Sequence, residues 1–311
     1  MKHCKALLCI VAITLLLSAC GTAKRDQTTA TVNPYISTAE NHVANGIVAM
    51  QQERWELASR SFSRALTAAQ LADDSRLITR AWYNLASAYS ASGQFTEAEA
   101  AYQKTLVIAL RRNDQTSHLR AQLAMYLMQQ RTERLPESFS MQQLPASLYT
   151  QQRWPDDLHL QAARLAQRLD QPELAQAAYK IVIANKKTDH FSLKMRAEAH
   201  MGLALLARDS GSIQLASREV GQVLAYCHQL GAPLLTAHAL MLQAELTPVM
   251  ADKQDKLDRA LDIYSALNDI QGKKQALQQL LAVARSEGNN EAEAQLELRL
   301  LTLEAKLAES N

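Results

Sequence analysis

The stretch that decides the fold is Ala81-Trp82-Tyr83-Asn84-Leu85-Ala86-Ser87-Ala88-Tyr89-Ser90-Ala91-Ser92-Gly93-Gln94-Phe95-Thr96-Glu97-Ala98-Glu99-Ala100-Ala101-Tyr102. Two small residues, Ala86 and Ala98, stand on either side of a break at Gly93, and the bulky Tyr102 follows four residues after the second. Small side chains let two helices approach closely where they cross, and a residue four positions further lies on the same helix face. The stretch therefore predicts a helix, a short turn and a second helix.

The same spacing recurs in three other places. The paired small residues are Gly46 and Ala58, Ala163 and Ala175, and Ala204 and Ala216. A turn residue or polar break and then a bulky apolar residue follow in each unit: Glu53 and Phe62, Asp170 and Tyr179, Gly211 and Val220. The units repeat at a period near forty, which implies a further unit near Ala124 and two degenerate units over residues 232–308. The sequence predicts an all-α solenoid of about six helix-pair repeats.

This pattern resembles the tetratricopeptide repeat, over residues 39–112 and 156–230. The residues that carry the resemblance best are Trp82, Leu85, Ala86, Tyr89, Ala98 and Tyr102. The period exceeds the thirty-four residues of that family, and we expect residues 73–78 to be an extended connection. Residues 131–155 also depart from the pattern, because Pro136, Pro145 and Pro155 disfavour a long helix. This segment is predicted to be a degenerate repeat at the surface, with a joint between sub-arrays or a partner-contacting excursion as alternatives.

The resemblance implies a concave groove lined by the first helix of each unit. The residues expected to face this groove are Tyr83, Ser87 and Ser90, then Leu160, Arg164, Gln167 and Arg168, then Met201, Leu205 and Arg208. Arg164, Arg168 and Arg208 could form a basic stripe, which would suit the carboxylates of a partner. The alternative is that these arginines are solvated or pair with Asp157, Glu198 and Asp209.

The amino terminus resembles a bacterial lipoprotein signal. Lys2 and Lys5 precede an apolar run over residues 6–17, which is too short to span a bilayer. Leu17-Ser18-Ala19-Cys20 then resembles a lipobox. The resemblance implies a signal peptide over residues 1–19. It also implies a diacylglyceryl group and an N-acyl (palmitate-type) chain on Cys20. Gly21 implies that the protein is on the outer membrane of a Gram-negative cell and faces the periplasm. The alternatives are cleavage elsewhere and an anchor that is never cut.

The remaining chain divides into four parts. Residues 20–34 are predicted to be the lipidated cysteine and a flexible tether, with an end-to-end distance of roughly 20 Å. Residues 35–130 form one sub-array, 131–155 the irregular connection, and 156–308 a second sub-array. Its last helix carries Leu296, Leu300, Leu303 and Leu307 on one side, which predicts a capping helix with a polar outer face or, alternatively, a dimer contact.

The charge balance and the cysteine content exclude some kinds of partner and of covalent structure. Loss of Lys2 and Lys5 would leave 31 of the 33 basic residues against 31 acidic ones, a balance that argues against a nucleic-acid partner. Cys227 would be the only unmodified cysteine after processing, so no internal disulfide is expected, and its apolar neighbours suit a buried thiol.

The sequence contains no phosphate-binding loop, paired metal-ligand motif or nucleophile motif. We therefore expect no enzyme activity, cofactor or metal. The prediction is a membrane-anchored periplasmic scaffold or adaptor that binds protein or peptide partners, in pilus or secretion assembly or in regulation of cell-wall enzymes. The main alternative is an oligomerising structural subunit of an envelope apparatus, and a cell-wall hydrolase or a small-ligand sensor is favoured less.

Overall fold

The computed structural model describes residues 33–309, with side chains to residue 305. The signal peptide and Cys20 lie outside these residues. The helices are α1 (Pro34–Gln51), α2 (Trp55–Leu71), α3 (Ser75–Ala91), α4 (Phe95–Arg111), α5 (Gln115–Arg131), α6 (Ser147–Thr150), α7 (Asp156–Arg168), α8 (Pro172–Ala184), α9 (His190–Asp209), α10 (Ile213–Leu230), α11 (Pro233–Leu246), α12 (Met250–Ala266), α13 (Ile270–Glu287) and α14 (Asn290–Glu309). A 3₁₀ turn at Met141–Gln143 precedes α6.

The helices pack as consecutive pairs, which confirms the predicted all-α solenoid. Six pairs are complete: α1 with α2, α3 with α4, α7 with α8, α9 with α10, α11 with α12, and α13 with α14. From α1 to α11, neighbouring first helices also contact one another, so they form one layer of the array, and α5 continues this layer between α3 and α7. Among residues 33–309, no helix is both long and apolar enough to cross a bilayer.

Long helices joined by tight turns in the left-handed backbone region give the long period. The turn residues Glu53, Asp73, Gly93, Asn113 and Glu133 have φ between 51° and 80° and stand twenty residues apart. Helices α2 to α5 are each 17 residues long, so one helix plus its turn fills twenty residues. The expected extended connection over residues 73–78 is therefore wrong, because α3 already begins at Ser75 with Asp74 as its N-cap. The extra length lies in the helices.

Close helix crossings depend on the small residues. A Cβ atom on Gly46 would lie 2.4 Å from the ring of Phe62, and one on Gly202 would lie 2.1 Å from the ring of Tyr179. Phe62 and Tyr179 are themselves buried, at 1% and 2% exposure. Each ring therefore occupies the volume that a side chain at the glycine would need, which is the arrangement that the spacing predicted for Gly46 and Phe62.

The third unit has only one long helix. In other units the small residue of the crossing, Gly46 or Ala86, stands seven residues before the turn residue. In this unit that position, seven residues before Glu133, is occupied by Tyr126 rather than by the expected Ala124. The Tyr126 ring lies 4.5 Å from that of Phe139, centroid to centroid. A bulky side chain at the crossing leaves no room for a closely packed second helix. The irregular chain over 132–155 covers α5 instead, and Leu148 joins the core there.

The terminal helix α14 packs with Leu296, Leu300 and Leu303 against the preceding pair. Its outer face is less polar than predicted, because Leu298 and Leu301 are 66% and 64% exposed. The predicted polar outer face of the capping helix is therefore interrupted at these two positions.

Candidate functional site

Two adjoining cavities lie along the layer of first helices. The main cavity, of about 1030 Å³, is lined by α7, α9 and the start of α11. The side cavity, of about 580 Å³, is lined by α9, α11 and α13. Met201, Leu205 and His238 line both, so the two cavities form one groove across four units.

The main cavity is closed on its far side by the first unit. Gln51, Gln52 and Glu53, from the turn between α1 and α2, line it together with Leu267 and Asp269, from the turn between α12 and α13. The array therefore curls until its first and later units face the same space. Nothing in the repeat spacing indicates this curvature, so sequence reasoning missed these residues.

Six of the ten predicted groove residues line this groove. Arg164, Gln167, Arg168, Met201 and Leu205 line the main cavity, and Arg208 lines the side cavity. Ser87 lines a separate small cavity of about 280 Å³ beside Ile47 and Met50.

The other three predicted residues lie elsewhere. Leu160 is only 2% exposed and belongs to the core, so its predicted place in the groove is wrong. Tyr83 packs 6.0 Å from Tyr102, and burial is the largest cause of its raised pKa. The carbonyl of Ser90 accepts a hydrogen bond from Arg131. Helical periodicity gives the face of a helix but not the depth at which its neighbours cover that face, which explains these differences.

Most of the predicted basic stripe is neutralised. Arg164 pairs with Glu198 at 2.6 Å, and Arg208 pairs with Asp209 at 2.8 Å and with Glu245 at 3.0 Å. Asp157 pairs with Arg120 instead. The alternative that the sequence left open, pairing with nearby carboxylates, therefore holds for Arg164 and Arg208.

Arg168 and Lys194 are the main-cavity cations without a carboxylate within 4.0 Å among residues 33–305. Arg168 donates to the side-chain oxygen of Gln130 at 3.3 Å. Glu53 and Asp269 supply negative charge from the turns that close the cavity. Apart from the ion pairs described above, the main cavity thus has cations on α7 and α9 and carboxylates on two turns.

Neutral polar groups also line the groove. His238 lies between the two cavities, and burial lowers its pKa, opposed by the nearby Asp269 carboxylate. Its imidazole is therefore neutral near pH 7. Gln275, Gln278 and Gln279 line the side cavity. Gln279 already donates to Glu245 at 3.0 Å. The amides of Gln275 and Gln278 can donate and accept hydrogen bonds, as a peptide backbone does, so this part of the groove can pair with main-chain groups of a bound segment.

Two matches to family models identify the repeats. A tetratricopeptide-repeat model matches residues 36–111, and a second one matches residues 160–229. The chain is a tetratricopeptide-repeat protein. The matches omit α5, the irregular connection and the last two units, where the structure departs from the spacing of the clear repeats. No curated protein matches this tetratricopeptide-repeat protein in sequence.

One solved structure agrees with the fold. The crystal structure of a Rap protein complexed with competence and sporulation factor is 11% identical, with a TM-score of 0.60, and the alignment covers 88% of this chain and 76% of that one. BtubC from P. vanneervenii is 16% identical, with a TM-score of 0.38, over 75% of this chain and 82% of that one. At 11% identity the likeness to the Rap protein shows the fold alone. As a tetratricopeptide-repeat protein, the chain is a scaffold for protein–protein interaction.

Proposed function

We propose that this protein is a lipid-anchored adaptor of the bacterial envelope, whose groove binds an extended segment of a partner protein. The observation that carries the proposal is the continuous groove formed by the main and side cavities. It runs across the first helices of four units, α7, α9, α11 and α13, and is closed by the first unit. Such a site binds a chain segment rather than a flat surface, because it surrounds its occupant on several sides.

The lining determines what kind of segment fits. Met201, Leu205 and Leu234 offer apolar contact in the middle of the groove. Arg168 and Lys194 favour a carboxylate on the segment, and the glutamines of the side cavity favour exposed backbone groups. We infer an extended segment with apolar side chains and at least one acidic group. The solved Rap protein is complexed with competence and sporulation factor, so a protein of this fold can hold a partner.

The envelope location rests on the lipobox at residues 17–20. A triacylated Cys20 would anchor the chain stably, because more than one acyl chain is then buried in the bilayer. We place the protein on the periplasmic side of the outer membrane, where the tether holds the start of the folded array within about 20 Å of the bilayer. Partners would then be envelope proteins, such as components of pilus or secretion assembly or enzymes of the cell wall. We propose binding rather than catalysis as its activity.

The groove is tested by photo-crosslinking in living cells. A photoreactive residue at Gln52, Arg168 or Leu205 is expected to capture one and the same protein, because all three line the main cavity. The matched control is Arg60, which is 68% exposed on the second helix α2. Mass spectrometry of the adducts identifies the partner.

A charge substitution supplies the second readout. Leu205→Glu is expected to abolish the adduct formed from Gln52, because it places a carboxylate among the apolar contacts. Leu71→Glu, the same substitution at a residue that is 59% exposed on α2, should leave the adduct unchanged. Equal capture from Arg60, or an adduct that survives Leu205→Glu, would contradict binding in the groove.

A second candidate function follows from the exposed leucines of α14. If the protein is an oligomerising subunit, Leu298 and Leu301 are the apolar surface that a second copy would cover. Light scattering across a range of concentrations then gives a rising mass, and Leu298→Glu with Leu301→Glu returns it to the monomer. A constant monomer mass excludes this function and leaves the adaptor.

A further inference from the structure

The connections from the second helix of one pair to the first helix of the next pair lie at one edge of the array. The turn before α5 and the connection before α9 both lie on this edge, as do the residues that lead into α7, because the first helices run side by side in one layer. The chain also enters α1 at Pro34 on this edge. The predicted tether from Cys20 therefore reaches the folded array at the same edge.

The middle of this edge carries exposed cations without partners. Arg111 ends α4, Arg153 precedes α7, and Lys186 and Lys187 lie between α8 and α9; all four are exposed. None of them has a carboxylate within 4.0 Å among residues 33–305. We call these four residues the basic edge.

The carboxylates of the same region are held by hydrogen bonds. Asp114 accepts from the backbone and the hydroxyl of Ser117 at 3.0 and 2.8 Å. Asp189 makes the same pair of bonds with Ser192 at 3.0 and 2.8 Å. These two aspartates cap the N-termini of α5 and α9, where the helix dipole offsets their charge. Each carboxylate therefore serves its own helix terminus, and Asp189 also attracts Lys187 from beyond 4.0 Å.

Contacts across the edge show that its three segments are neighbours. Arg120 of α5 pairs with Asp157 at the start of α7 through bonds of 2.6 and 3.1 Å. The adjoining Asp156, buried at 8% exposure, accepts a hydrogen bond from the Asn185 side chain in the connection before α9. The cations on the three segments therefore belong to one surface, and the two aspartates of α7 are already engaged within it.

Large apolar side chains protrude among these cations. Leu110, beside Arg111, is 67% exposed, and Phe191, near Lys187, is 54% exposed. The guanidinium of Arg153 stacks over the ring of Trp154 at 5.6 Å. Exposed leucine and phenylalanine beside lysine and arginine are the combination that inserts into the headgroup region of an anionic bilayer. An acidic protein surface would account for the cations but gives no reason for protruding apolar groups next to them.

We propose that the basic edge docks on a bilayer that contains anionic phospholipid, so that the array lies on its edge with the groove facing sideways. The proposal extends the lipid-anchored adaptor, because an anchor about thirteen residues before Pro34 holds this edge, rather than the opposite one, close to the bilayer. Docking then sets the orientation in which the groove meets a partner. Each cation near an anionic surface contributes about fivefold to membrane partition.

The test uses the lipid-modified protein in vesicles of phosphatidylcholine alone or with phosphatidylglycerol. A spin label is attached at Phe191→Cys in a Cys227→Ala background, and its contact with membrane-dissolved oxygen is measured. The control label is at Ile213→Cys, which is 45% exposed at the first residue of α10 on the opposite edge. The expected result is immersion of the label at 191 only on vesicles with phosphatidylglycerol, and an aqueous label at 213 on both.

Removing three charges should reverse the docking. Arg111→Gln with Lys186→Gln and Lys187→Gln is expected to lower the docked population on the order of a hundredfold, while the protein still floats with both kinds of vesicle. A label at 191 that stays aqueous on phosphatidylglycerol overturns the proposal, and so does equal immersion on phosphatidylcholine alone.

Failure of the anchor has a different signature. The protein would then not float with vesicles of phosphatidylcholine alone. Binding through the basic edge would still make it float with vesicles that contain phosphatidylglycerol, and added salt would abolish that binding.

Discussion

Gly202→Ala is expected to lower the free energy of unfolding by about 1–3 kcal/mol, although alanine is normally the better helix former. The new Cβ would lie 2.1 Å from the Tyr179 ring. That ring cannot move away easily, because it is 2% exposed and its hydroxyl donates to Gln167 at 2.8 Å. Denaturant unfolding followed by circular dichroism measures the change.

Gly221→Ala is the matched control for this substitution. Gly221 lies in α10, the neighbouring helix, and its new Cβ would meet nothing within 4 Å. Here the helix propensity of alanine acts alone and should stabilise the protein by about 0.5–1 kcal/mol. If the two substitutions changed stability in the same direction, close packing at Gly202 could not be the reason for that glycine.

These glycines also show which parts of the fold could be predicted. The pairing of Gly46 with Phe62 was predictable, because both belong to one unit and the spacing of sixteen residues repeats along the chain. The contact of Gly202 with Tyr179 joins two units, and no repeat interval links them in the sequence. Local spacing therefore identifies the helix pairs, whereas the packing between pairs depends on side-chain volumes at contacts that the spacing does not describe.

The candidate site divides in the same way. Arg168, Met201 and Leu205 were predictable as groove residues because they lie on the first helices of recognisable units. Gln52 and Glu53 were not, because they reach the main cavity only through the curvature summed over several units. Leu160 illustrates a further limit: it lies on a first helix, but neighbouring helices cover it completely. A sequence pattern thus predicts which helix lines a groove more reliably than which side chain stays accessible.

The irregular connection raises the question of how the two sub-arrays hold together. It replaces a helix that would otherwise continue the outer layer, so the first helices α5 and α7 carry much of the contact between the halves. The core cluster that includes Leu123 of α5 and Leu158 of α7 spans this contact. The Arg120–Asp157 pair crosses the same contact, with side chains 29% and 20% exposed.

Arg120→Met is therefore expected to destabilise the protein by about 2 kcal/mol. The loss leaves the Asp157 carboxylate partly buried without its two hydrogen bonds, and burial of such a group carries a desolvation cost. The substitution should also uncouple the halves, so that one unfolding transition in denaturant becomes two. Two single-tryptophan variants follow the two transitions separately by fluorescence. One variant keeps only Trp82, in the first sub-array, and the other has its only tryptophan at position 264, in place of Tyr264 in the second.

The double variant Arg120→Met with Asp157→Leu separates a charge effect from a packing effect. It removes both charges and keeps apolar volume at both positions, so stability and the single transition should return close to those of the unsubstituted protein. A double variant as unstable as Arg120→Met would mean that the contact needs the ion pair itself. A single transition in Arg120→Met would mean that the shared core couples the sub-arrays without the ion pair. The groove, which draws residues from both halves, would then keep its shape when the pair is lost.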